Sequence, residues 1–220
     1  MSGAVQAKGG SRHGDPNRLG HGEVPASERG PASKRIVVSY GFWIFLLSDF
    51  VMFSGFFAAY AVLVGNTAGG PSGRELFDLP LVAAETAFLL LSSFSCGMAG
   101  IAAAARNAFW FQVAMAVTAL LGAAFLALEL YEFVHLIGEG AGPDRSAFLS
   151  AFFALVGCHG LHVVLGLLWL TTMMAQVWAK GFREDILRRI TCSALFWHAL
   201  DIIWVALFTI VYLLGSGAGA

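Results

Sequence analysis

Charge is scarce in this chain, and so are the residues from which self-contained chemistry is built. Asp, Glu, Lys and Arg make up 12% of the 220 residues, 58% are hydrophobic, and the mean hydropathy is +0.74. A soluble domain of this length could not hide so much apolar surface, so the composition predicts a membrane protein. The formal net charge of -1 argues against nucleic acid as a partner. Only three cysteines occur, Cys96, Cys158 and Cys192, inside or at the edge of apolar segments and without a CxxC spacing. That suggests neither a disulfide framework nor a zinc site, and they are expected to be buried small hydrophobes. A haem-attaching CxxCH, a P-loop and a GxSxG nucleophile elbow are all missing. So is the inverted internal repeat that marks many transporters.

Residues 1–35 differ in kind. They are rich in Gly, Pro and charge with almost no bulky apolar side chain, which predicts a disordered tail. No apolar core sits in the first thirty residues, so a secretory signal is not expected there. Residues 36–220 are expected to form one five-helix transmembrane domain. Apolar runs long enough to span a bilayer fall near 40–64, 80–104, 109–137, 146–178 and 190–214. The tail and the second–third and fourth–fifth connections together carry eleven Lys or Arg, and the other side only Arg74 and Arg145. The positive-inside bias then places the N-terminus in the cytoplasm and the C-terminus in the periplasm. Small residues in "GMAGIAAAA" (97–105) allow close helix approach, with lipid-facing alanine as the alternative.

Ionisable groups inside a bilayer are costly and usually face protein, water or each other. Here they are Asp49, Glu85, Glu129, Glu132, His135, His159, His162, His198 and Asp201. Counting about 1.5 Å per residue from the ends of the expected spans, Asp49, His159, His162, His198 and Asp201 share one layer toward the cytoplasm. A mutual hydrogen-bond network, a metal, or separate locally satisfied side chains would each account for them. Glu85 follows Pro80 in the first turns of its helix, where the dipole favours a carboxylate, and is expected to cap it.

In "ELYEFVH" (129–135), Glu129, Glu132 and His135 recur every third residue on adjoining parts of one helix surface. Glu132-x-x-His135 has the ExxH spacing of di-iron bundles, but those need a second ExxH that the chain lacks. A polar cluster near the outer surface is the expectation. In "FWHALDIIW" (196–204), His198 and Asp201 are spaced to touch, the carboxylate holding the imidazole in one tautomer. Trp197 and Trp204 lie too deep for an interfacial belt, so they are expected to pack against a partner helix.

Taken together, "GFWIFLLSDFVMFSGFFAAY" (41–60), "LELYEF" (128–133), "GCHGLHVVLG" (157–166) and "FWHALDIIW" resemble subunit III of the haem–copper oxidases, over nearly everything from residue 40 to 215. The loops "GNTAGGPSGRELFDLP" (65–80) and "GAGPDRSAFLSAFFALVG" (140–157) are similar to the subfamily found in bacterial cytochrome o ubiquinol oxidase. The resemblance implies an accessory subunit, without a redox centre, of a complex in the bacterial inner membrane. That complex oxidises ubiquinol, reduces oxygen to water and pumps protons. It implies partners in subunits I, II and IV, haem and copper in subunit I, and bound phospholipid. It also implies that His159 and His162 bind no redox metal but join helices. Asp49 matches a buried carboxylate that is usually glutamate in the family, one methylene longer.

Other readings remain. The chain could belong to a cytochrome c oxidase or to a relative associated with nitric oxide reductases. Outside the family, it could be a metal-binding membrane enzyme built on Glu129, Glu132, His135, His159 and His162, or a proton channel using the Asp/His layer.

Overall fold

The computed structural model describes residues 34–71 and 73–215, and no strand occurs among them. The tail expected over residues 1–35 lies, up to residue 33, outside the described residues, and Lys34 and Arg35 open the first helix. Five helices are long and apolar enough to cross a membrane. They are α1 (Lys34–Leu63), α3 (Leu79–Ala104), α4 (Ala108–Gly138), α5 (Ala147–Lys180) and α6 (Glu184–Leu207). A single turn, α2 (Gly73–Leu76), precedes α3, and Phe208–Leu213 continue α6 as a π-helix. The bounds agree with the apolar runs to within a few residues, except that α1 begins at residue 34 rather than 40 and α6 at 184 rather than 190. Its charged first turns are helical too, with Glu184 and Asp185 at the end where the dipole favours acids.

Local chemistry sets the ends. Asn107 accepts a hydrogen bond from the Trp110 amide at 3.3 Å, and Ser146 one from the Leu149 amide at 3.2 Å, which caps α4 and α5. Pro80 sits in the first turn of α3, where its missing amide costs nothing. Gly181, at φ 68°, ends α5 in a backbone conformation that a side chain would strain.

Helices α3, α4, α5 and α6 close a ring in which each packs on two neighbours, and α1 lies outside against α5 and α6. The inward residues repeat with alternating steps of three and four. On α3 they are Val82, Glu85, Leu89, Ser92, Cys96, Ala99 and Ala103. On α4 they are Phe111, Met115, Thr118, Gly122, Phe125, Glu129, Glu132 and Leu136. On α5, Leu149, Phe152, Val156, His159, Val163, Gly166, Leu170, Met173 and Val177 follow the same rule. On α6, Ile186, Ile190, Ser193, Trp197, Leu200, Trp204 and Leu207 do so. A repeat averaging 3.5 residues keeps one stripe of each helix on the bundle axis. The polar residues that matter below are therefore stripe positions occupied by polar groups.

The small residues of α3 divide between the two expected roles. Ala99, Ala102 and Ala103 are buried, and the Ser95 hydroxyl donates to the Ala114 carbonyl of α4 at 2.8 Å. Gly97 and Gly100 face open space.

Candidate functional site: polar groups in the bundle core

At mid-depth one indole fills the axis. Trp197 of α6 is buried, and its Nε1 donates to Ser92 Oγ of α3 at 3.0 Å. Its ring occupies space that α4 and α5 leave by having no side chain. A Cβ at Gly122 would lie 2.7 Å from the ring, and one at Gly166 2.9 Å. All four residues are stripe positions, one from each helix.

The next layer is built on Trp204, whose Nε1 donates to Thr86 Oγ1 of α3 at 3.0 Å. The Phe125 ring meets it edge-on at 4.6 Å, and the His159 ring lies 5.2 Å away. His159 is completely buried among Phe53, Phe125 and Trp204, and neither ring nitrogen has a hydrogen-bond partner among the described residues.

Beyond that layer, toward the α1–α3 and α4–α5 connections, lie three carboxyl groups. Glu85 is 0% exposed, Glu129 2% and Glu132 4%. Glu132 accepts a hydrogen bond from the Tyr212 hydroxyl at 2.9 Å. The Glu129 carboxyl occupies the gap left by Gly160, where a Cβ would stand 2.6 Å from Oε1. Both oxygens of Glu85, one of Glu129 and one of Glu132 have no hydrogen-bond partner among the described residues. The π-helix turns both Val211 and Tyr212 inward, and the Val211 carbonyl accepts from Tyr60 of α1 at 3.4 Å. Phe77 packs on Tyr212, the hydrogen-bond partner of Glu132, at 4.8 Å and on Phe152 at 5.2 Å.

The remaining polar groups lie toward the other end. The Ser93 hydroxyl and His198 Nδ1 form a 2.6 Å hydrogen bond, and Asp201 Oδ2 lies 3.8 Å from the same nitrogen. Serine and carboxylate thus compete for one ring nitrogen, which excludes a Ser–His–Asp relay needing both. His162 donates from Nδ1 to the Cys158 carbonyl one turn back at 2.7 Å, which fixes its tautomer. Asp49, half-buried on α1, lies within electrostatic reach of the Cys158 thiol.

Three expectations change here. The layer of Asp49, His159, His162, His198 and Asp201 is not one hydrogen-bonded network among the described residues. It resolves into the Ser93–His198–Asp201 group, a His162 that bonds its own helix, and an isolated His159. The cluster of Glu129, Glu132 and His135 divides. A three-residue step falls about 60° short of a turn, so the two acids stay on the stripe while His135 rotates out. His135 is exposed, stacks on Tyr131 and lies 3.5 Å from Glu139. Glu85 does not cap α3. The helix starts at Leu79, and Glu85, nearly two turns in, points to Glu129 and Glu132. The run of threes and fours through Val82, Glu85 and Leu89 would have identified it. Tyr212 carried no such signal, because the π-helix shifts its register.

These groups do not suit a resident metal. No three His, Cys, Asp or Glu side chains among the described residues converge on a possible ion. The His159 nitrogens face aromatic rings, and His162 spends one nitrogen on its own backbone.

Comparison with known proteins gives the setting. The family model for cytochrome c oxidase subunit III matches residues 31–216. The chain is 50% identical over 203 residues to the cytochrome bo(3) ubiquinol oxidase subunit 3 of Pseudomonas aeruginosa, covering 92% of this chain and 94% of that one. It is 52% identical over 175 residues to the protein of the same name from Pseudomonas putida, covering 80% and 84%. It is 42% identical over 175 residues to the cytochrome c oxidase subunit 3 of Bacillus sp. strain PS3, also covering 80% and 84%. A match spanning all five membrane helices, with relatives this similar along most of their length, means that the chain belongs to the cytochrome c oxidase subunit III family.

Proposed function

We propose that this chain is the accessory, non-redox subunit III of a proton-pumping terminal ubiquinol oxidase in a bacterial inner membrane. The observation that carries this reading is the identity of 50% and 52% to proteins named as subunit 3 of cytochrome bo(3) ubiquinol oxidase. The chain packs on subunit I, which holds the haem and copper, alongside subunits II and IV. Its own core supplies rigidity, since Ser92–Trp197, Thr86–Trp204, Ser95–Ala114 and Glu132–Tyr212 bond across neighbouring helices. The eleven Lys and Arg on one side orient the N-terminus to the cytoplasm and the C-terminus to the periplasm.

The same reading includes bound phospholipid. A cleft of about 520 Å³ opens between α1, α5 and α6 near the end that carries most of the basic residues. Phe42, Phe45 and Trp169 give it apolar walls, and Arg188 and Arg189 stand at its mouth beside Asp185. Basic residues over an apolar cleft suit an anionic headgroup with its acyl chains.

A second reading, subunit III of a cytochrome c oxidase, is favoured by the 42% identity to the Bacillus protein. Purifying the tagged chain in mild detergent tests both. Haem and copper that co-purify with larger subunits, and are absent when the chain is expressed alone, support the accessory role. Stoichiometric metal on the isolated chain refutes it. Oxidation of ubiquinol or of cytochrome c by the purified complex separates the two readings.

A further inference from the structure

The acids at the outer end of the bundle have no part in the reading above. Glu85 comes from α3, and Glu129 and Glu132 from α4. Glu85 lies within electrostatic reach of both others, as Glu129 does of Glu132. Two further observations mark a built site. Position 160 is glycine, and any side chain there would occupy the space of the Glu129 carboxyl. Glu85 is fully enclosed, reaches the pair from another helix, and has no hydrogen-bond partner for either oxygen among the described residues.

Three ionised carboxylates could not coexist there. Each would be an acceptor only, with nothing to offer its neighbours. Their like charges would repel in a medium that screens poorly. The other titratable groups around them are Tyr212, His159 and Tyr60, with Asp78 at the mouth within reach of Glu132. The basic residues of the adjoining connections, Arg74 and Arg145, are exposed at the surface. A proton on an acid removes its charge, and with it the repulsion from its neighbours. A metal ion would need three converging ligands, an arrangement not found among the described residues.

We propose that Glu85, Glu129 and Glu132 form a proton-binding site inside the bundle, where bound protons keep the carboxyls neutral, Tyr212 anchors Glu132, and Phe77 closes the site on the side of Asp78. The site belongs to this chain's own residues and stands or falls independently of the oxidase reading.

Infrared difference spectroscopy of the full chain, in membranes with whatever subunits accompany it, tests this at neutral pH. Wild type minus Glu85→Gln should show the carbonyl stretch of a protonated carboxylic acid, shifted down in D2O. Bands of ionised carboxylate alone would overturn the proposal. If Glu85→Gln does not fold, Glu129→Gln gives the same test. Loss of the acid band on adding sodium, potassium or calcium would also overturn it, in favour of a cation site. Phe77→Ala should speed the deuterium shift of the band several-fold, and an unchanged rate would refute that closure.

Discussion

Replacing Gly122 by alanine tests whether Trp197 sets the spacing of the four inner helices. The new Cβ would lie 2.7 Å from Trp197 Cη2, 2.8 Å from Cζ2 and 3.2 Å from Leu167 Cδ2. Apolar carbons prefer about 3.5–4.0 Å, so the indole must retreat by about 1 Å. Its far edge already lies against Gly166, and its Nε1 is held by Ser92. Overpacking of this kind costs about 1–3 kcal/mol, and straining the indole hydrogen bond adds up to about 1 kcal/mol. Against this, alanine is the better helix former by about 0.5–1 kcal/mol. The net expectation is a loss of about 1–3 kcal/mol. Gly166→Ala should behave alike, and the double variant should cost less than the sum, because one displaced indole serves both.

Gly97 and Gly100 on α3 provide the control, since a Cβ at either meets nothing within 4 Å. Alanine there should leave stability unchanged or raise it by up to about 1 kcal/mol. The assay is the temperature at which half of the purified full chain loses its monodisperse elution in mild detergent. Trp197→Phe should recover part of the loss in the Gly122→Ala background. If Gly122→Ala and Gly166→Ala are as stable as Gly97→Ala and Gly100→Ala, the indole does not set the helix spacing.

Gly160→Ala should displace the Glu129 carboxyl and lower the same midpoint, and Glu129→Ala should relieve it, a non-additivity of about 0.5–3 kcal/mol; strictly additive midpoints would place Glu129 elsewhere. His159→Phe should preserve assembly, because the imidazole has no hydrogen-bond partner among the described residues and already lies among rings. Failure of that variant to assemble would mean that water or another subunit bonds His159. The Arg106–Glu184 pair, 2.9 Å apart but with both side chains more than 60% exposed, should contribute about 0–1 kcal/mol. Arg106→Ala should therefore leave the midpoint nearly unchanged, and a large drop would refute a surface role.

The five spans were legible because bilayer thickness imposes a length and a composition that few other structures share. Which face of each helix turns inward was harder to read. Lipid and protein interior are both apolar, so the contrast that reveals the buried face of a soluble helix is weak. The polar residues are the better guide. Glu85, Ser92, Glu129, Glu132 and His159 all fall on the three–four stripes, whereas His135 breaks the spacing and is exposed. That Asp49 and the histidines do not form one network among the described residues was not legible. Axial depth alone says nothing about the direction in which each side chain leaves its helix, and that direction separates His162, His159 and His198.

The bonds across the bundle explain how such similar apolar helices find one register. Lipid tails are as apolar as leucine, so burial of apolar side chains barely distinguishes one alignment from another. Polar contacts do distinguish them. Ser92–Trp197 and Thr86–Trp204 join α3 to α6, and Ser95 joins α3 to the Ala114 carbonyl of α4. Gln112 donates to the Met174 carbonyl across α4 and α5 at 2.9 Å, and Glu132–Tyr212 ties α4 to the π-helix. Sliding any inner helix by one turn, about 5.4 Å, would break its bonds and leave their donors and acceptors unpaired in hydrocarbon. Helix α1 is joined to the inner four by the 3.4 Å bond from Tyr60 and by rings and apolar side chains, with Leu46, Phe53 and Tyr60 buried seven residues apart. Its Trp43, Ile44, Val51 and Val62 point outward. The register of the inner four is thus set within the chain, while much of α1 is left to lipid or to a neighbouring subunit.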